Sequence, residues 1–193
     1  MGIYCILIIA PIYWMFLLSV YTRRAAFQVP PNWFGISSMT LKHYRYLIGE
    51  ANFLHFFLNS TIVASGSVIL SLSLGVPAAY ALSEMRFKGK FWLSFWVLCT
   101  RMAPPMGFAI PFFLIYRDLG LLDTRIGLML VYLSFNLSLV IWMAATFLRE
   151  VPNELQEAAK IDGASVLQIF GRVVIPLISP GLATMAIFCF LLS

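Results

Sequence analysis

The sequence predicts an all-α fold: a polytopic transmembrane helical bundle of five spans. Three observations predict it. Of the 193 residues, 61% are hydrophobic and only 11% are charged, against roughly a quarter charged in a soluble domain. Of the 21 charged residues, 20 lie outside five long apolar stretches. Each stretch reaches the roughly 17 to 25 residues that cross about 30 Å of hydrocarbon as a helix. Backbone in lipid must satisfy its own hydrogen bonds, and these runs lack the alternation of barrel strands, so helices remain. The composition excludes a water-soluble enzyme or nucleic-acid binder. A net charge of +5 fits loops that face anionic lipid headgroups rather than nucleic acid.

The first span covers residues 3–20. It has no basic residues before it and is followed by Tyr21-Thr22-Arg23-Arg24 rather than a small-residue cleavage site, so it reads as a retained span and not a signal peptide. Residues 22–55 form a long aromatic-rich link with a Pro30-Pro31 break, a short helix from Leu41 capped by Thr40, and two surface histidines, His43 and His55. The second span, 56–82, sets Ser60, Ala64, Ser67, Ser71, Gly75 and Ala78 on one face. Small residues so placed let helices approach closely. Packing is the favoured role, and a pore-lining stripe is the alternative.

After the short basic loop Ser83–Lys90, the third span (91–116) holds the one charge inside an apolar stretch, Arg101, followed by Pro104 and Pro105. An arginine at mid-membrane should face protein or water rather than lipid. Each proline removes a donor and clashes with the carbonyl four residues back, so a kink is expected. Arg101, Pro104 and Pro105 are therefore candidates for a gate or translocation path. The alternative is that Arg101 satisfies the freed carbonyls. A polar turn at 117–125 leads to the fourth span, 126–148, with Asn136 near its middle and pointing away from Ser134 and Ser138. Asn136 suits an interhelical hydrogen bond, with contact to a translocated substrate as the alternative. The fifth span is 173–193. Cys5, Cys99 and Cys189 fall inside spans without ligand spacing and read as buried small apolar residues, with no metal site or disulfide indicated. Trp33, Trp92 and Trp142 lie near span ends and fit an interfacial belt, unlike Trp14 and Trp96.

Between the fourth and fifth spans lies the segment 149–172. Pro152 fits the first helical position, and Asn153 to Ile161 reads as helix with Glu154 near its positive end. Gly163 fits the left-handed residue that ends it. Ser165 and Gln168 make a capping box that restarts a helix running to Pro176. Leu155, Ala158 and Ala159 share one side. A short helix with an alanine surface suits close docking of a partner; a helix lying on the membrane surface is the alternative.

Here the chain resembles a known family. Glu157-Ala158-Ala159, three residues, Gly163, nine residues and Val173-Val174-Ile175-Pro176 are similar to the EAA motif of ABC-importer permeases, with Val173 and Ile175 in place of Ile and Leu. Asp162-Gly163-Ala164, Asn59-Ser60, Ala78-Ala79-Tyr80-Ala81-Leu82, Phe87-Lys88-Gly89-Lys90, Pro104-Pro105 and the run Tyr116–Thr124 extend the likeness to the maltose-type carbohydrate branch. The resemblance implies a single transmembrane domain, 1–193, serving as a permease subunit of a binding-protein-dependent importer for a sugar or related polyol. It implies that Glu157, Ala158, Ala159, Asp162 and Gly163 form a cytoplasmic coupling helix docked on an ATP-binding cassette subunit. The other implied partners are a second homologous permease subunit, giving a heterodimer, an extracytoplasmic solute-binding protein and membrane lipid. The implied location is the cytoplasmic membrane of a prokaryote, with multiple passes.

ATP would be used by the partner: no P-loop occurs in the sequence, so the chain is read as a transport subunit without a cofactor and not as an enzyme. Charge alone does not orient it, because the two sets of loops carry six Lys and Arg residues each. The implied orientation puts Ser83–Lys90 and 149–172 inside. The sequence departs from the family by stopping where a sixth span is expected, and by Asn136-Leu137-Ser138 where Pro often follows the Asn-Leu pair. An ion-driven transporter is the main rival class. It would want intramembrane carboxylates, and the five stretches contain none.

Overall fold

The computed structural model describes the backbone of residues 2–29, 39–85, 87–102 and 104–193, and their side chains except at 2, 3, 101 and 105. Pro30-Pro31 and Trp33 lie outside the described residues. Every regular element among the described residues is helical, apart from one isolated bridge between Tyr21 and Met39. The described residues cluster into two compact units, 1–58 and 59–193.

The first unit begins with α1 (Gly2–Val20), a helix containing Pro11, followed by α2 (Arg23–Ala26) and α3 (Lys42–Gly49). Its small core is Leu17, Tyr21 and Ala25, with Trp14, Val20 and Ala26 packed against it. Polar bonds hold α3 against the end of α1. Tyr44 Oη donates to Ser19 Oγ at 2.8 Å, His43 Nε2 lies 3.1 Å from the Tyr21 carbonyl, and the Lys42 amide bonds Thr40 Oγ1 at 3.2 Å. The helix thus starts at Lys42 with Leu41 in the cap position and no side-chain cap there, so the expected cap at Thr40 is corrected: its hydroxyl accepts from the Lys42 amide from one residue further out.

The second unit is entered along α4 (Phe53–Glu84), an unbroken helix of 32 residues despite Pro77. The third stretch is divided. It forms α5 (Lys90–Met102), an extended residue at Pro104 (φ −68°, ψ 128°), a 3₁₀ turn over Pro105–Phe108, and α6 (Ala109–Asp118). The expected kink is thus a complete interruption, because two consecutive prolines leave two carbonyls without helical donors. Then comes α7 (Arg125–Leu148), capped by Thr124, which accepts from the Gly127 amide. By length and composition α4 and α7 each suffice to cross a membrane.

Chain order continues with α8 (Asn153–Ile161), α9 (Val166–Ile169), a π-helical turn over Phe170–Val174, α10 (Ile175–Leu177) and α11 (Ser179–Leu192). The path through α9 and α10 bends by 76° against α11. The hinge at Ile178 lies between Pro176 and Pro180. Pro180 has no amide hydrogen for the Pro176 carbonyl, so the ladder fails there. The restarted helix therefore runs past Pro176 to Leu177.

The centre of the bundle is α7, packed against α5 and α11, while Phe108 and Phe112 of the third stretch meet its Phe135 edge-on. Flanked on two sides, α7 buries both Asn136 and Ser138, although a simple helical wheel separates them. Close approach is made by small residues. A Cβ at Gly75 would lie 2.6 Å from Val140, and one at Gly181 2.6 Å from the ring of Phe147.

Polarity is inverted relative to a soluble protein. Ser67, Ser71 and Asn136 are fully buried, whereas Ile69, Trp142, Ile187 and Leu191 are all more than half exposed. In hydrocarbon, large apolar surfaces lose nothing by facing outward, and packing selects small and polar groups within. This is a multi-pass membrane protein. Cys189 is buried as expected, but Cys5 and Cys99 are exposed on the outer surface. A thiol facing lipid meets an apolar medium without having to be packed in the core, so the expectation of burial is corrected for those two.

Candidate functional site

The segment 149–172 folds as a helix, a glycine turn and a second helix. Pro152 adopts φ −61° and ψ 128°, which places it at the N-cap of α8 rather than at its first helical position. Its fixed φ serves the entry in either place, and the extended ψ turns the chain out of Val151, which is buried with Leu148 in the main core. Glu154 stands in the first turn and Lys160 in the last, each complementary to the helix dipole. Gly163 takes φ +80°, and the Ala164 amide bonds back to the Ala159 carbonyl at 3.0 Å, closing the end of the helix. The capping box is complete: Ser165 N–H donates to Gln168 Oε1 at 2.8 Å, and Gln168 N–H to Ser165 Oγ at 3.4 Å.

Two faces result. Gln156 is the one fully buried residue of α8, and with the half-buried Ala159 it turns toward the bundle. Outward stand Glu157, Ala158 and Asp162, all exposed, together with Leu155 and Ile161. Ile161 is 87% exposed, and Leu167 just beyond the turn is 80% exposed. Of the five residues singled out in the sequence, then, Glu157, Ala158, Asp162 and Gly163 are outward, whereas Ala159 belongs to the inner seam.

Sequence reasoning missed Ile161 and Leu167 as part of the outer surface, and Gln156 as its anchor. The signal available for Gln156 was its spacing of three from Ala159, which puts both on one side of a helix. Behind the inner face, Tyr80 of α4 donates from its hydroxyl to Gln156 Oε1 at 3.2 Å, and its ring lies 4.9 Å from that of Phe170.

This segment and the turn 83–90 lie at the same end of the bundle. A cavity of about 540 Å³ is lined by Glu84, Lys90, Arg149 and Asn153 together. Lys90 Nζ donates to the carbonyls of Ser83 (3.0 Å) and Met85 (3.3 Å), satisfying acceptors at the end of α4. At the opposite end, a cavity of about 430 Å³ gathers Asn59, Asp123 and Arg125, with Arg125 Nη2 bonded to Asn59 Oδ1 at 2.6 Å.

The second group of candidates is spread out. Arg101 belongs to α5, but its side chain, like that of Pro105, lies outside the described residues. Pro104 is exposed in the break itself. Asn136 is on another helix and donates from Nδ2 to Ser193 Oγ at 3.0 Å, while Ser67 Oγ of α4 lies 2.8 Å from the same hydroxyl. Asn136 thus ties helices together, as an interhelical hydrogen bond requires. The small-residue face of α4 is a packing face over its middle, with Ala64, Ser67, Ser71 and Gly75 buried, whereas Ala78 is half-buried and Ser60 is exposed.

The profile of the family described as binding-protein-dependent transport system inner membrane component matches residues 71–193. The chain is 36% identical over 186 residues to the trehalose transport system permease protein SugB of Mycobacterium tuberculosis, covering 95% of this chain and 66% of that protein. It is 33% identical over 194 residues to the diacetylchitobiose uptake system permease protein NgcG of Streptomyces coelicolor, covering 98% and 62%. With the maltodextrin transport system permease protein MdxG of Bacillus subtilis it shares 31% over 169 residues, covering 88% and 59%. A chain of a bacterial ABC transporter involved in the import of the acidic polysaccharide alginate superposes with a TM-score of 0.78 at 32% identity, covering 98% of this chain and 66% of that one. The chain therefore spans 59–66% of the length of these relatives.

Proposed function

Because the chain belongs to the family of binding-protein-dependent transport system inner membrane components, we propose that it is the permease subunit of an ABC importer for a sugar or related polyol. The observation that carries this reading is the outward face of α8. Leu155, Ala158 and Ile161 stand exposed among Glu157, Lys160 and Asp162, on a helix fixed to the bundle along its other side. A short rigid knob with an apolar centre and a charged rim has the anatomy of a protein-docking surface. A helix lying on headgroups would have no need of a cap, a glycine turn and a buried anchor to hold it at a set angle.

The occupant of that surface is an ATP-binding cassette subunit, which supplies the hydrolysis for which this chain has no P-loop. Closure of two such subunits displaces α8. Displacement passes to α4 and α7 through the core that Tyr80, Leu148, Val151 and Ile169 share, and the spans rock between inward-open and outward-open arrangements. Transport through a pathway of this kind needs a second permease subunit, giving a heterodimer, and a solute-binding protein on the outer side. The face bearing 83–90 and 149–172 is the inner one, in the cytoplasmic membrane of a prokaryote. Glu157, Ala158, Asp162 and Gly163 serve docking, with Ala159 on the seam. Arg101, Pro104 and Pro105 remain a proposed gate at the break between α5 and α6.

Co-purification tests the reading. Ile161→Glu places a charge at the centre of the knob, and capture of the ATPase by the detergent-solubilised permease is expected to fall by about tenfold or more, as for loss of a central interface anchor. Unchanged capture with Ile161→Glu and with Glu157→Lys would remove α8 from the interface.

A further inference from the structure

We propose that the hydrogen bond between Tyr80 and Gln156 is the register-setting link through which motion of α8 is passed to α4. The proposal rests on the docking role of α8 given above and names the residues that carry the motion inward. Three observations converge on this pair. Gln156 is 4% exposed and Tyr80 6% exposed, so the bond of 3.2 Å is made away from solvent. Gln156 is also the one fully buried residue of a helix that otherwise presents charged, alanine and apolar side chains outward. Finally, Tyr80 lies one turn before the end of α4, so a displacement delivered there enters the helix at its terminus.

The surroundings explain why a polar pair is required there. The neighbours Leu148, Val151, Ile169 and Val174 are apolar and buried. Apolar burial resists separation but is non-directional, so it lets one helix end slide over another. A hydrogen bond has a preferred distance and angle, and it costs free energy to leave unmade in a dry site. The Tyr80 bond therefore fixes where along α4 the knob is attached. Phe170 stacks on Tyr80 with ring centroids 4.9 Å apart, at the start of the π-helical turn Phe170–Val174. The same tyrosine thereby touches both the knob and the irregular turn that leads into the last span, and π-turns of this kind are frequent at functional sites. Tyr80 and Gln156 are positioning residues: neither reaches the outer face of α8.

The test uses the assembled importer, with ATPase and solute-binding protein, in proteoliposomes. Tyr80→Phe keeps the ring and its packing on Phe170 and removes only the hydroxyl. Capture of the ATPase and its basal hydrolysis are expected to stay as in the unaltered complex, while solute moved per ATP hydrolysed falls about fivefold, the effect of one net hydrogen bond. A second variant separates loss of the link from the penalty of an unpaired buried carbonyl. In Tyr80→Phe/Gln156→Met both polar groups are gone, so thermal stability is expected to return toward that of the unaltered protein, yet coupling stays low. Recovery of coupling in the double variant would overturn the proposal, as would an unchanged ratio in Tyr80→Phe. Loss of ATPase capture in Tyr80→Phe would also overturn it, since the bond would then only build the docking surface. If the unaltered chain captures no ATPase, the docking role itself fails and the link fails with it, an outcome distinct from all the others.

Discussion

At the scale of single residues, Gly163 and Ser71 show how differently one atom can matter. Gly163 sits at φ +80° with nothing within 4 Å of where a Cβ would be. Space is therefore not its reason for being glycine; the left-handed backbone is. Gly163→Ala is expected to destabilise the turn by about 1–2 kcal/mol, read as a lower melting temperature and faster proteolysis at 149–172. A melting curve unchanged within error would show that the turn relaxes to another conformation. Ser71 Oγ has no hydrogen-bond partner among the described residues although the residue is fully buried. Removing an unpaired buried hydroxyl costs nothing in lost bonds, so Ser71→Ala is expected to be neutral or stabilising by up to about 1 kcal/mol. Ser67→Ala, which breaks the 2.8 Å contact to Ser193, is expected to be destabilising. Reversal of that order in thermal unfolding would mean that Ser71 has a partner in the membrane.

At the scale of elements, the breaks carry the architecture. The fourth stretch contains no proline, and it is one helix, α7. The third contains Pro104, Pro105 and Pro111 and is divided, and the path into the fifth contains Pro176 and Pro180 and bends by 76°. Pro77, by contrast, leaves α4 whole. Close contacts then decide where elements meet. Gly181→Val is expected to push α11 away from Phe147 and cost about 1–3 kcal/mol by overpacking, measured as loss of folded protein on heating in detergent. Full retention of stability would show that the Phe147 ring swings aside freely.

Much of this scale was legible in the sequence. Asn153–Ile161 was readable to the residue, because Pro152, Gly163, Ser165 and Gln168 act through local backbone chemistry. The 76° bend was not, since Pro176 and Pro180 announce a break without fixing its angle, which packing on α7 decides. Nor was the inward turn of Ala159: the motif spells Ala158 and Ala159 alike, and only the neighbouring core distinguishes them.

At the scale of the whole molecule, charged and amide side chains mark two ends of the second unit. Glu84, Lys90, Arg149 and Asn153 meet around one cavity and Asn59, Asp123 and Arg125 around another, although a count of Lys and Arg over the loops left orientation tied. Spatial grouping shows which loops share an end, that of Ser83 and Glu84 with that of Arg149 and Asn153, a pairing that a tally of charges does not contain. The interior was less legible, because an apolar span does not announce which of its faces meets protein. Ser67 and Asn136 were readable as packing groups, whereas the partnership of Tyr80 with Gln156 spans 76 positions and leaves no local mark.

The central claim is that α8 meets a nucleotide-driven partner and not lipid. Ile161→Cys and Leu167→Cys, introduced singly after the exposed Cys5 and Cys99 have been replaced by serine, allow thiol crosslinking in the assembled importer. The expected result is a covalent adduct with the ATPase subunit at both positions, with a yield that changes when ATP is bound. Labelling of both positions only by a lipid-borne reagent, with no adduct to the ATPase in either nucleotide state, would contradict it.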